Sequence, residues 1–224
     1  LAIKGSKHTK ARFMSLLALL YDLLQKARKE GLMAIESDVE EPSESPLFQK
    51  YPEILGDHHL VEFITDYLRM MVGGNLNAME IENLMDIEIE THHHEVEVPG
   101  HVMAKVADGL PAFGIVVAVM GVVNVMGSVG EPPPVLGKMI GGALVGTFLG
   151  ILISYGFVSP IASLLEQKAH EGSKIYQVIK VVLLASMSGY APQVAVEFGR
   201  KVLFSGDRPT FSELEAELKA RKGK

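Results

Sequence analysis

Two stretches without a charged side chain constrain this chain more than anything else in it. No Asp, Glu, Lys, Arg or His occurs between Asp108 and Glu131, and none occurs between Lys138 and Glu166. The stretches are 22 and 27 residues long. As helices rising about 1.5 Å per residue they would extend about 33 and about 40 Å. A bilayer's hydrocarbon core is about 30 Å thick and takes about 20 apolar residues. The pattern therefore predicts a transmembrane helix hairpin, with most of the remaining mass in water.

The net charge of −6 and the 21% of charged residues are averages over charged ends and an uncharged middle. The acidic balance gives no support to nucleic-acid binding, which needs clustered Lys and Arg against phosphate. With no Cys in the sequence, disulfides and thiolate metal sites are excluded. No secretory signal is expected ahead of the first helix. Leu1 in place of Met reads as the start of a fragment or of a processed chain.

Residues 9–30 carry Phe13, Leu16, Leu17, Leu20, Leu23 and Leu24 at helical spacing, which predicts an amphipathic helix ending at Gly31. A short helix over 34–41 should stop at Pro42, and a turn-rich segment follows. Further helices are expected over 57–72, closed by Gly73-Gly74, and over 77–98, with a break or bend at Pro99-Gly100. Val96 and Val98 are candidates for a short extended piece. A last helix over 166–203, bent near Pro192, leads into a charged tail. No segment alternates well enough to predict a sheet, so the fold class is all-α.

The link between the spans, GEPPPVLGK, is short, so they run antiparallel. In the second span Gly142, Gly146 and Gly150 recur every four residues, a spacing that lets helices approach closely in lipid. The link carries only Lys138, whereas Lys105, Lys168, Lys174 and Lys180 flank the outer ends. The positive-inside rule then places both soluble parts in the cytoplasm. Neither span contains an ionisable Asp, Glu, Lys, Arg or His. An ion-driven machine keeps such a group at membrane depth despite a cost of about 2.5–3.5 kcal/mol, so a partner must supply it. This chain offers the hydroxyls of Thr147, Ser154 and Tyr155. Pro160 frees the carbonyl of Gly156, and Pro111 is expected in the first turn of its span, where proline is tolerated.

The segments DGLPAFGIVVAVMGVVNVMGS, ALVGTFLGILISYGFVSPIA and GYAPQVAVEFGRK closely resemble the MotA family of flagellar stator proteins. ARKEGLMAIESDVEEP and LMDIEIETHHHEVEVP match that family's cytoplasmic loop in order and spacing. The resemblance implies an all-helical inner-membrane protein, with two further spans ahead of the loop upstream of Leu1. It implies five copies around a MotB dimer whose membrane carboxylate takes up the ion, and a ring that pushes on the rotor protein FliG. By motif the rotor contacts fall on Arg28, Glu36 and Glu88, and the prolines tied to torque on Pro111 and Pro160. The pore-lining hydroxyl falls on Thr147 and a tyrosine near the channel on Tyr155. Ala118 stands where sodium-driven relatives carry threonine, which favours protons. The implied organisation is a cytoplasmic, rotor-contacting domain over 1–106, a span over 107–130, a periplasmic link over 131–138, a span over 139–162, and a cytoplasmic helix and tail over 163–224. No cofactor is expected beyond the transported proton.

Two other readings stand beside this one. An ExbB-like or TolQ-like energiser has the same membrane core and no rotor, although the loop motifs argue against it. His92, His93 and His94, with Glu90 and Glu97, suggest a metal-binding membrane scaffold. Consecutive histidines on a helix point to different faces, however, and no His pair has zincin spacing, so no metal site is expected. The motifs Gly-x-Ser-x-Gly, P-loop and HExxH are all missing from the sequence, and no enzyme activity is expected.

Overall fold

The protein is described by a computed structural model over residues 9–74 and 76–222. Among the described residues there is no strand. The helices are α1 (Lys10–Glu30), α2 (Glu36–Glu40), α3 (Pro52–Leu55), α4 (His58–Gly73), α5 (Ala78–Met126), α6 (Pro133–Ile153), α7 (Ser159–Met187), α8 (Pro192–Val202) and α9 (Phe211–Lys222). One π-helical turn, Ser154–Val158, joins α6 to α7, so Pro133–Met187 is helical through all 55 residues. The chain divides into two compact units. His94–His170 forms one, and the described residues up to His93 form the other together with those from Glu171 onward.

In the larger unit α1 is the central element. Leu16, Leu17, Ala18, Leu19 and Leu20 have no exposed surface. Five consecutive residues exceed a full helical turn, so every face of α1 is covered at its middle. This corrects the amphipathic expectation. The physical reason is that α3, α8 and α9 all pack on α1, which leaves no side for water. The Thr9 hydroxyl caps the helix by accepting from the Arg12 N–H at 3.3 Å. Gly31 ends it at φ +94°, a conformation that other residues adopt only with strain. Ile81, Met85 and Ile89 of α5 and Ile175, Val178, Ile179 and Val182 of α7 complete the same core.

Three expectations are corrected here. The chain does not break at Pro99-Gly100, because α5 runs through it, and Val96 and Val98 are helical. Gly100 is needed for close approach: a Cβ there would stand 2.7 Å from the Glu166 side chain. The last helix does not bend at Pro192 but stops at Met187 and restarts. Gly189 takes φ +86°, and Pro192 occupies the first turn of α8, where its missing N–H is not needed. The charged tail is the helix α9. Thr210 and Glu213 form a reciprocal capping box there, with N–H to side-chain distances of 2.7 and 3.2 Å, and Leu214 and Leu218 are buried one turn apart.

Lys10 at the start of α1 donates to Glu213 at 2.8 Å. That hydrogen bond, with those from Thr210, holds the Glu213 carboxyl down to about 2 from its ordinary 4.5. A pKa lowered on folding stabilises above the unfolded value and is lost as pH falls through the folded one. We expect protection of α9 amides from hydrogen exchange to be constant from neutral pH to about 4.5 and to fall between about 4.5 and 2. Constant protection down to pH 2 would mean that this ion pair does not anchor α9.

In the smaller unit the second half of α5 meets α6 as an antiparallel hairpin. A Cβ on Gly146 would stand 2.6 Å from Val117, and one on Gly150 would stand 2.7 Å from the Leu110 carbonyl oxygen. Gly121 lies directly against Ala143. The seam on the second span thus runs Ala143, Gly146, Gly150 and Ser154. Gly142, expected on the packing face, has nothing within 4 Å of a would-be Cβ. Four residues overshoot a helical turn by about 40°, so a strict four-residue repeat drifts off the seam, whereas steps of three and four stay on it. Pro111 is also corrected: it lies inside α5, not at its start.

Candidate functional site

The hairpin presents apolar residues outward. Only 11% and 17% of the most apolar windows of its two long helices are buried within the chain. Phe113, Met120, Val123, Phe148 and Phe157 all stand exposed. A soluble core helix would bury such residues; these face a membrane, a partner or both. Along the seam, the Thr147 hydroxyl donates to the Gly114 carbonyl at 3.1 Å, so it is engaged between the helices. Ala118, one turn beyond Gly114, is half-buried. Tyr155 is 65% exposed, in the π turn. Pro160 is exposed just after that turn. Pro111 and Thr147 therefore lie along the hairpin's inner seam, while Tyr155 and Pro160 look outward.

In the larger unit Arg28 in the last turn of α1 and Glu36 at the start of α2 flank the turn between the two helices. Both are exposed, and neither forms an ion pair among the described residues. Two residues inward, Lys26 pairs with Asp38 at 2.7 Å. Asp38 is buried and accepts a second hydrogen bond from the Ser45 hydroxyl at 2.5 Å. The inner pair braces the turn and leaves the outer two opposite charges exposed. Arg28 also lines a cavity of about 420 Å³ with Leu24, Leu32, Met71, Met187 and Tyr190.

Glu88 does not share this edge. It accepts from the Tyr67 hydroxyl at 2.7 Å and lines a separate cavity of about 70 Å³ with His59, Glu62, His92 and Tyr176. Burial, together with the bond to Glu88, pushes the Tyr67 phenol up from its ordinary value. The histidines are used in packing. His92 packs at a tilt against Tyr176 with ring centroids 4.7 Å apart, and His93 Nδ1 lies 2.9 Å from the Ser173 hydroxyl. Among the described residues no group of three or more His, Asp or Glu side chains is arranged to hold a metal ion.

Sequence reasoning missed the Lys26–Asp38–Ser45 brace, the Tyr67–Glu88 bond and the capping box of α9. Only the last had a local signal, Thr-x-x-Glu ahead of spaced leucines.

Comparison with known proteins follows the same lines. Motility protein A of Escherichia coli (strain K12) is 54% identical over 222 residues, which is 99% of this chain and 75% of that protein. The solved structure of Campylobacter jejuni MotAB superposes with a TM-score of 0.73 at 22% identity, over 94% of this chain and 74% of that one. The flagellar MotAB stator complex from Bacillus subtilis superposes with a TM-score of 0.64 at 26% identity, over 81% and 64%. Residues 57–178, which include the unbroken helix α5 and the hairpin, match a family pattern directly; on that match and on the identity to its motility members, the chain belongs to the MotA/TolQ/ExbB proton channel family.

Proposed function

We propose that this chain is a stator subunit of the bacterial flagellar motor. With a MotB-type partner it forms a proton-conducting complex in the inner membrane that turns proton flow into torque on the rotor protein FliG. The 54% identity to Motility protein A across almost the whole chain carries this reading. Neither uncharged stretch, 109–130 or 139–165, carries Asp, Glu, Lys, Arg or His, which supports a partner as the source of the ion-binding carboxylate. Five copies around a MotB dimer would set Thr147, Ala118 and Tyr155 along the ion path. The largely unburied apolar surface of the hairpin suits that arrangement. A proton crossing the membrane releases about 2.3 kcal/mol per 100 mV, so the energy comes from the gradient and not from chemistry on this chain.

Arg28 and Glu36 are the rotor-facing charges, with Glu88 as a further acidic position in the cytoplasmic part. Exposed ion pairs are worth roughly 0–1 kcal/mol each. Contacts of that size steer and release; they do not hold, which suits a machine that must let go at every step. In a bacterium lacking its own stator, the full-length protein carrying Arg28→Ala with Glu36→Lys should insert at normal levels and fail to support swimming. Normal swimming in that double variant would remove the rotor-contact assignment. Co-purification with a TonB-like or TolA-like protein in place of a MotB-type one would overturn the stator reading itself.

A further inference from the structure

Ala107 and Pro111 are four residues apart in α5. In an α-helix the carbonyl of Ala107 accepts from the N–H of residue 111, and proline has none. Ala107 is 1% exposed, so water does not reach the carbonyl that Pro111 releases. The hydroxyl of Ser154, on the opposite helix, donates to that carbonyl at 2.6 Å. Ser154 is itself fully buried. An unsatisfied carbonyl at membrane depth is costly, and this one is satisfied by the other span.

Ser154 has a second role. It opens the π turn Ser154–Val158, with the Ser159 N–H donating back to its carbonyl, and Pro160 follows at once. Single π turns sit frequently at functional places in helices. One residue therefore meets both prolines. Its side chain replaces the hydrogen bond that Pro111 removes, and its main chain starts the widened turn that leads into Pro160.

We propose that Ser154 is a positioning residue: by standing in for the N–H that Pro111 lacks, its hydroxyl ties the π turn ahead of Pro160 to α5 and sets how Tyr155 faces the carboxylate of the MotB-type partner. The tie is a property of the hairpin alone. Its use in the motor rests on the stator reading above.

The test has two arms, both on the full-length protein in complex with a MotB-type partner. The first follows thermal unfolding in detergent for the parent, Ser154→Ala, Pro111→Ala and the double variant. Ser154→Ala should lower the midpoint in the parent. It should do little in the Pro111→Ala background, where residue 111 regains an N–H and the Ala107 carbonyl has its helical donor. Equal losses in both backgrounds would overturn the tie. The second arm measures swimming in a stator-less bacterium with Ser, Cys and Ala at position 154, a series that changes donor strength with little change in volume. Speed should fall in that order. Loss of the donor in Ala should cut the population of the tied hairpin, in which residue 154 holds the Ala107 carbonyl, roughly three- to thirty-fold, the range for one interhelical hydrogen bond in a membrane. Parental speed with Ala would overturn the positioning role even if the melts show the coupling. If even the parent does not swim, the stator reading fails, and the melts still decide the tie.

Discussion

Gly150→Val will keep the membrane hairpin from closing. The β-carbon would stand 2.7 Å from the Leu110 oxygen and 3.3 Å from the Gly114 α-carbon. Both are main-chain atoms, so no rotamer change relieves the clash and the helices must separate. Overpacking of this kind costs about 1–3 kcal/mol by itself. Separation also loosens the Thr147–Gly114 and Ser154–Ala107 hydrogen bonds on either side, each worth about 0.6–2 kcal/mol in a membrane. The expected result is a markedly lower unfolding midpoint in detergent and no swimming. Gly142→Ala is the control: with nothing within 4 Å of the new carbon, it should leave the hairpin's melt within about 0.5 kcal/mol of the parent. An unchanged melt for Gly150→Val would show that the seam does not set the hairpin's geometry.

The second large effect is expected at a residue outside the uncharged stretches and outside the proposed rotor contacts. Lys26→Met leaves the Asp38 carboxylate buried with only Ser45 to hold it. Removing one partner of a buried pair costs about 3–5 kcal/mol. Lys26 is 30% exposed, which brings the expectation down to about 2–3 kcal/mol. The turn from Gly31 to Glu36 would lose its brace, and Arg28 and Glu36 would no longer be held in one geometry. Chemical denaturation should give a lower midpoint for the larger unit, and swimming should fall although both proposed rotor-facing charges remain. Replacing both partners, Lys26→Met with Asp38→Leu, should recover most of the stability, since the isolated buried charge is then gone. A double variant no more stable than the single one would show that the pair is not what braces the turn.

The hairpin was legible from sequence because exclusion of charge over 22 and 27 residues leaves few folds other than a bilayer crossing. The helices of the larger unit were legible from period and punctuation, as at Gly31 and Gly73-Gly74. The failures came where tertiary context overrides local rules. Pro99 reads as a helix breaker, yet one missing hydrogen bond does not stop a helix of 49 residues whose other bonds remain. The four-residue glycine repeat gave Gly142 too much weight and Ala143 none, because only the partner helix decides which of two adjacent small residues faces it. The charges of Arg28 and Glu36 look like those of any solvated turn. Their distinction is that Lys26 and Asp38 beside them are paired, and that pairing is a fact of the fold. No local pattern foretells that the carbonyl released by Pro111 meets a serine from the other span.

The burial of α1 on every side carries a consequence for how the protein is made. Its cover includes α8 and α9, which enter the chain only after both membrane helices. The ion pair between Lys10 and Glu213 closes over 203 residues. At roughly 5–20 residues per second of synthesis, the leucines of α1 wait about 10–40 s for those helices to leave the ribosome. A nascent chain stalled inside the membrane therefore holds the buried leucines of α1 without α8 and α9 over them, and cells must either shelter that surface or destroy the chain.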